Sequence, residues 1–102
     1  MVFENNVEVQ FVGDIARLIV KGGLTFHHSE QLQKLAKSFT SQRRVEVDLS
    51  AIDLLDSTSL GLLLVFKKSL PNPQISVKLV GLSNELKRML KIAAFQQFFE
   101  WE

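Results

Sequence analysis

Val7, Val9 and Phe11 alternate with Glu8 and Gln10, and this is the clearest apolar–polar periodicity in the chain. A period of two puts one set of side chains on a covered face and the other in water, which predicts a half-buried strand. Gly13-Asp14 then turns the chain, and Ile15 to Val20 supplies an apolar hairpin partner that Gly22-Gly23 ends. After Ser29, read as an N-cap, Leu32, Leu35, Ala36 and Phe39 recur at helical spacing, with Lys34 and Lys37 on the outer side. Arg44 to Leu49 predicts a third strand with Val45, Val47 and Leu49 on one face.

A short loop, 50–55, leads to Asp56-Ser57-Thr58-Ser59 and then to Leu60, Gly61 and the run Leu62 to Phe66. So apolar a helix must be covered on most sides, which places it on the sheet between other helices. A glycine inside a helix costs about 1 kcal/mol, so Gly61 is expected to allow close approach of another backbone. Lys67-Lys68 suits a helix C-terminus, and Pro71-Asn72-Pro73 stops the chain. Ile75, Val77 and Leu79 alternate as a fourth strand, and Ser83 caps a last helix in which Leu86, Met89, Leu90 and Ala93 share a face. The aromatic tail, 95–102, is expected to fold back over the sheet or helices. This order predicts an α/β fold: a mixed sheet of four to five strands, partly parallel through right-handed crossovers, with the helices largely on one face.

The 102 residues suit one domain spanning 1–102. Twelve basic residues against eleven acidic ones leave a net charge of +1, which gives no electrostatic case for nucleic acid. The absence of cysteine excludes disulfides and thiolate metal sites. Met1 to Asn6 have no apolar stretch of the signal-peptide kind, and no apolar run approaches the roughly 20 residues that span a bilayer. A cytoplasmic protein without direct membrane insertion is expected.

With its motifs laid out, the chain resembles the STAS family, which includes bacterial anti-sigma factor antagonists and the C-terminal domains of sulfate transporters. Gly22-Gly23-Leu24-Thr25, followed by His27-His28-Ser29, is similar to the family's Gly-x-Leu-Asp turn before its first helix. Val45 to Ser50 is similar to its central strand ending in Asp-Leu-Ser, and Val80-Gly81-Leu82 also fits. The most specific segment is Leu55-Asp56-Ser57-Thr58-Ser59-Leu60-Gly61, which resembles the antagonists' Asp-Ser-Ser-Gly-Leu-Gly signature. The resemblance implies a STAS domain that binds an anti-sigma factor serine kinase, releases it when Thr58 (or Ser57 as the alternative acceptor) is phosphorylated, and is restored by a cognate phosphatase. It also implies a partner surface of Asp56, Ser57, Ser59, Leu60, Thr25 and His28. Ser59 stands where antagonists usually have glycine, and Thr25 where the family usually has an acid.

The residues themselves allow such a switch. Asp56 can accept a backbone N–H from Thr58 or Ser59, which places Ser57 and Thr58 in a first turn whose N–H groups and positive dipole end favour an anion. A phosphate there adds about −1.5 to −2 charges without breaking its own helix, while a partner packed on that turn is repelled. Asp56 then orients the hydroxyl and caps the helix. A run of Asp, Ser, Thr and Ser also serves any capped helix.

Catalytic readings fit less well. Asp48, Asp53 and Asp56 could suggest a Mg²⁺ cluster, but Asp48 ends a strand and Asp53 sits in a turn. Adjacent His27 and His28 point apart on a regular element and are read as surface or helix-entry residues. No nucleophile elbow flanks Ser57, and neither phosphate-cradling glycine motif is present. The chain is therefore expected to be a binding module and not an enzyme, with no metal or cofactor, as a monomer or weak dimer. The rival readings are a non-phosphorylated STAS subunit of an ABC-type lipid-transport complex, with which Ser59 and Thr25 are compatible, and a nucleotide- or small-ligand-binding domain.

Overall fold

In the computed structural model, which describes residues 2–3 and 7–102, the elements are β1 (Val2–Phe3), β2 (Val7–Val12), β3 (Ile15–Val20), α1 (Ser29–Lys37), β4 (Arg44–Asp48), α2 (Ser57–Lys68), β5 (Ser76–Val80) and α3 (Asn84–Ile92). The reading of Met1 to Asn6 as free of a signal peptide falls largely outside the described residues. The sheet runs β1-β2-β3-β4-β5, antiparallel through β3 and parallel from β3 to β5. The mixed α/β architecture is therefore as the periodicities predict, with two-residue β1 as the additional strand.

Each strand shows why it pairs where it does. Val12 lies opposite Ile15, so Gly13-Asp14 is a two-residue hairpin turn, and Gly13 takes the left-handed φ of +60° that its first position demands. Val7, Val9, Ala16, Leu18, Val20, Val45, Val47, Val77 and Leu79 form one buried face against the helices. The opposite face carries a row in register, Gln10, Arg17, Glu46, Lys78 and Glu100, in which the charges alternate in sign from Arg17 onward. Across this face Arg17 pairs with Asp48 at 3.2 Å and Lys78 with Glu102 at 3.1 Å.

The alternation fails at Phe11, which is exposed because β2 runs past the helix layer beyond Val9; its ring meets Phe39 edge-on at 6.0 Å. Leu32, Leu35, Ala36 and Phe39 are all buried, as their spacing predicts. Of the α2 run, Leu62, Leu63 and Phe66 are buried and Leu60, Leu64 and Val65 half-buried. Gly61 corrects its expected role: a Cβ there would meet nothing within 4 Å, so no backbone packs against it. Close approach is instead required at Gly81, at φ +72°, where a Cβ would lie 2.8 Å from Ser50 Cβ.

Ser83 caps α3, its hydroxyl accepting the Leu86 N–H at 3.1 Å, while Ala93 lies just beyond the helix and is exposed. The tail does fold back. The Leu79 N–H donates to the Glu100 carbonyl at 2.8 Å and the Glu100 N–H to the Val77 carbonyl at 3.1 Å, so the tail covers the outer edge of β5. Phe95 and Phe99, stacked at 5.7 Å, are buried beneath it.

Candidate functional site

β3 and β4 are adjacent and parallel, so the loops that leave their C-terminal ends emerge side by side. One carries residues 21–25 into α1 and the other residues 49–56 into α2. They touch in a hollow lined by Gly22, Gly23 and Leu24 on one side and Leu54, Leu55, Ser59 and Leu63 on the other. Its volume, about 10 Å³, is at the lower limit for one water and far below that of a small-molecule pocket. Leu24 and Leu55 are the buried plugs that hold the loops together.

Asp56 adopts extended backbone, φ −90° and ψ 177°, and its Oδ1 accepts the Ser59 N–H at 2.8 Å, while the Leu60 N–H donates to the Asp56 carbonyl at 3.0 Å. This is an N-cap, and of the two predicted donors it uses Ser59. The hydrogen bonds from Ser59 hold the Asp56 carboxyl below the usual carboxylate range. In the turn so fixed, Ser57 is exposed, Thr58 half-exposed and Ser59 buried at 6%. Leu60 is half-buried and Gly61 exposed on the same helix. The outward surface is therefore Asp56, Ser57, Thr58 and the flank of Leu60.

Ser29 is not an N-cap. Thr25 opens a 3₁₀ turn, Phe26–His28, that runs directly into α1, and the Ser29 hydroxyl accepts from Gln33 Nε2 at 3.2 Å. The His28 ring reaches back so that its Nδ1 accepts the Thr25 backbone N–H at 3.0 Å, with the Thr25 hydroxyl 3.2 Å from the same nitrogen. His28 is only 4% exposed, whereas Thr25 and His27 are exposed. His28 thus holds the Thr25 turn from inside, a helix-entry role, and presents almost no surface itself. Among the described residues, no hydrogen bond joins Thr25 to Asp56, Ser57 or Thr58.

Two residues at this end escaped the periodicity: Phe26 is 79% exposed and Leu54 66% exposed. The signal for Leu54 was the adjacent pair Leu54-Leu55 in an extended segment, where one side chain turns in and the other out. Among the described residues no group of three or more His, Asp or Glu is placed to hold a metal, and no helix is long and apolar enough to cross a membrane.

The site is thus a capped, hydroxyl-bearing helix entrance at the C-terminal edge of a mixed sheet. The STAS domain family profile matches residues 6–102, and the chain belongs to that family. Solved structures share the fold. A candidate anti-sigma factor antagonist of Thermotoga maritima superposes with a TM-score of 0.73 at 20% identity, over 93% of this chain and 84% of that one. An anti-sigma factor antagonist of Mycobacterium paratuberculosis gives 0.73 at 18% identity, over 93% and 82%. The Bacillus cell fate determinant SpoIIAA in its phosphorylated form gives 0.66 at 15% identity, over 94% and 90%.

Proposed function

We propose that this chain is an anti-sigma factor antagonist, acting in the cytoplasm by binding an anti-sigma factor serine kinase and released by phosphorylation of Thr58. The observation that carries the reading is the position of Thr58: half-exposed in the first turn of α2, with the cap on its N-terminal side satisfied by Asp56 and Ser59. A phosphate at this turn gains from the helix dipole and from N–H groups without an intrahelical partner. It places its charge beside the Asp56 carboxylate, so the doubly acidic patch repels a partner that had packed on a neutral hydroxyl. Ser57, exposed beside it, is the second acceptor. No group in this scheme performs chemistry on a substrate; the chain is the kinase's substrate, and a phosphatase reverses the mark.

The partner surface centres on Asp56, Ser57, Thr58 and Leu60, with the Thr25 turn beside it. Ser59 and His28 act from beneath, one holding the cap and the other the turn. Leu54 and Phe26 extend the surface with apolar contact area of the kind that anchors interfaces. Calorimetric titration of the purified chain with the kinase from the same organism tests this. Wild type and Thr58→Ala should bind alike, and Thr58→Glu about tenfold or more weaker, a loss of about 1.4 kcal/mol. Equal binding by Thr58→Glu contradicts the switch, and capture of an ABC ATPase in place of a kinase replaces it with a constitutive transport role.

A further inference from the structure

The charge along the chain is unevenly spread. Residues 57–99 carry six cations and a single carboxylate, Glu85, although the whole chain is nearly neutral. Topology then gathers part of this excess. α2 and α3 both start at the C-terminal ends of parallel strands and run back, so their last turns, bearing Lys67, Lys68 and Lys91, lie at the end of the molecule opposite Thr58. From Thr58 to Lys68 is about 15 Å along the helix axis.

At that end an open cleft of about 360 Å³ is lined by Leu64, Lys67, Lys68, Leu70, Pro73 and Phe98. Four of the six are apolar, two are cations and none is acidic. Neither lysine is ion-paired with any described residue. The walls are fixed from behind. Ser69 closes α2, its hydroxyl donating to the Val65 carbonyl at 2.8 Å, and the tail bearing Phe98 is tied to β5 through Glu100. The Phe98 ring rests edge-on against buried Phe95 at 6.2 Å yet stays 38% exposed. Cations at a helix C-terminus answer the macrodipole, but that does not account for the apolar recess beside them, whose lining holds no carboxylate.

We propose that this cleft is a second docking surface, for a segment of a partner protein that inserts an apolar side chain between Leu64, Leu70 and Phe98 and brings carboxylates to Lys67 and Lys68. A recess with cations at its rim matches an acidic, apolar peptide by shape and charge. A lipid surface is met instead by a face of protruding apolar side chains, whereas here Leu70 is buried and Leu64 half-buried. The proposal is independent of the Thr58 reading, because the two surfaces lie at opposite ends of α2.

The test is selection of a random linear peptide library on the intact protein, against a Lys67→Glu/Lys68→Glu variant whose amide NMR spectrum establishes that it is folded. Wild type should enrich peptides in which carboxylates flank a large apolar residue, and their NMR shifts should map to Leu64, Leu70 and Phe98. Their affinity should fall about tenfold in the double variant and stay unchanged in Thr58→Ala. Enrichment of peptides without carboxylates, equal enrichment on the variant, or binding to phosphatidylserine vesicles with no peptide selected would overturn the proposal.

Discussion

The Asp56 carboxylate and the Ser59 backbone N–H meet at 2.8 Å, and this one bond decides where α2 begins and which hydroxyls face out. Without it the first turn frays and Thr58 loses its fixed presentation. Asp56→Ala should lower the melting temperature, whereas Asp56→Asn, which still offers an acceptor oxygen, should lower it less. Thermal unfolding of both variants by circular dichroism checks the order; equal losses would show that charge, and not the cap, matters there.

Glu8, whose carboxyl is held below normal by the hydrogen bond and charge of Lys21, and the aspartates Asp48 and Asp56 set the acid limb of stability. At Asp48 burial pushes the pKa up, but hydrogen bonds from Ser50 and the Arg17 guanidinium outweigh it, and the value lies below normal. At Asp56 the bonds from Ser59 lower it. A group whose folded pKa is depressed contributes stability above its unfolded value, about 3.8 for both aspartates, and loses it as pH falls through the folded pKa. Stability should therefore fall as pH drops below about 4, and Asp48→Asn/Asp56→Asn should flatten that limb. Denaturant titrations across the acid range measure it.

Gly81 and Gly61 should respond to alanine in opposite directions. At Gly81 a methyl meets Ser50 Cβ at 2.8 Å and Asp48 Oδ1 at 3.0 Å on a backbone with φ +72°, and Gly81→Ala should cost about 2 kcal/mol or more. At Gly61 the new methyl enters open space in a helix, so Gly61→Ala should stabilise by about 0.5–1 kcal/mol. Equilibrium urea unfolding gives both signs.

His28→Ala removes a buried ring and strands the Thr25 N–H that its Nδ1 accepts, at a cost of about 1–3 kcal/mol for the unpaired group. Exposed His27→Ala should be close to neutral. Native-state hydrogen exchange at the Thr25 amide should quicken in the first variant and not in the second.

Most of the fold was legible in the sequence because its strands are buried on one face only, which writes a period of two into Val45-Glu46-Val47 and Ile75-Ser76-Val77. The helix caps at Asp56 and Ser83 were legible for a similar reason: a side-chain oxygen three residues ahead of the N–H it accepts is a local signal. Other features were not. Ser29 reads as a cap, but a 3₁₀ turn moves the helix entrance back to Thr25, and 3₁₀ turns leave little periodicity. Gly61 and Gly81 look alike in sequence; only the neighbouring Ser50, brought close by β4–β5 pairing, separates them. Phe26 and Leu54 are apolar residues on loops, and their exposure depends on what the other loop leaves uncovered. In the site, Ser57 and Thr58 lie outward as the cap implies, whereas the burial of His28 followed from tertiary packing that no local pattern reports.

The central claim is that Thr58 is the acceptor of a regulatory phosphate. The direct measurement is intact and tandem mass spectrometry of the chain after incubation with Mg-ATP and the proposed anti-sigma factor kinase, beside a Thr58→Ala control. The account predicts a single phosphoryl group located on Thr58 and absent from the control. An unmodified chain in the presence of an active kinase, or a phosphate away from the first turn of α2, contradicts it.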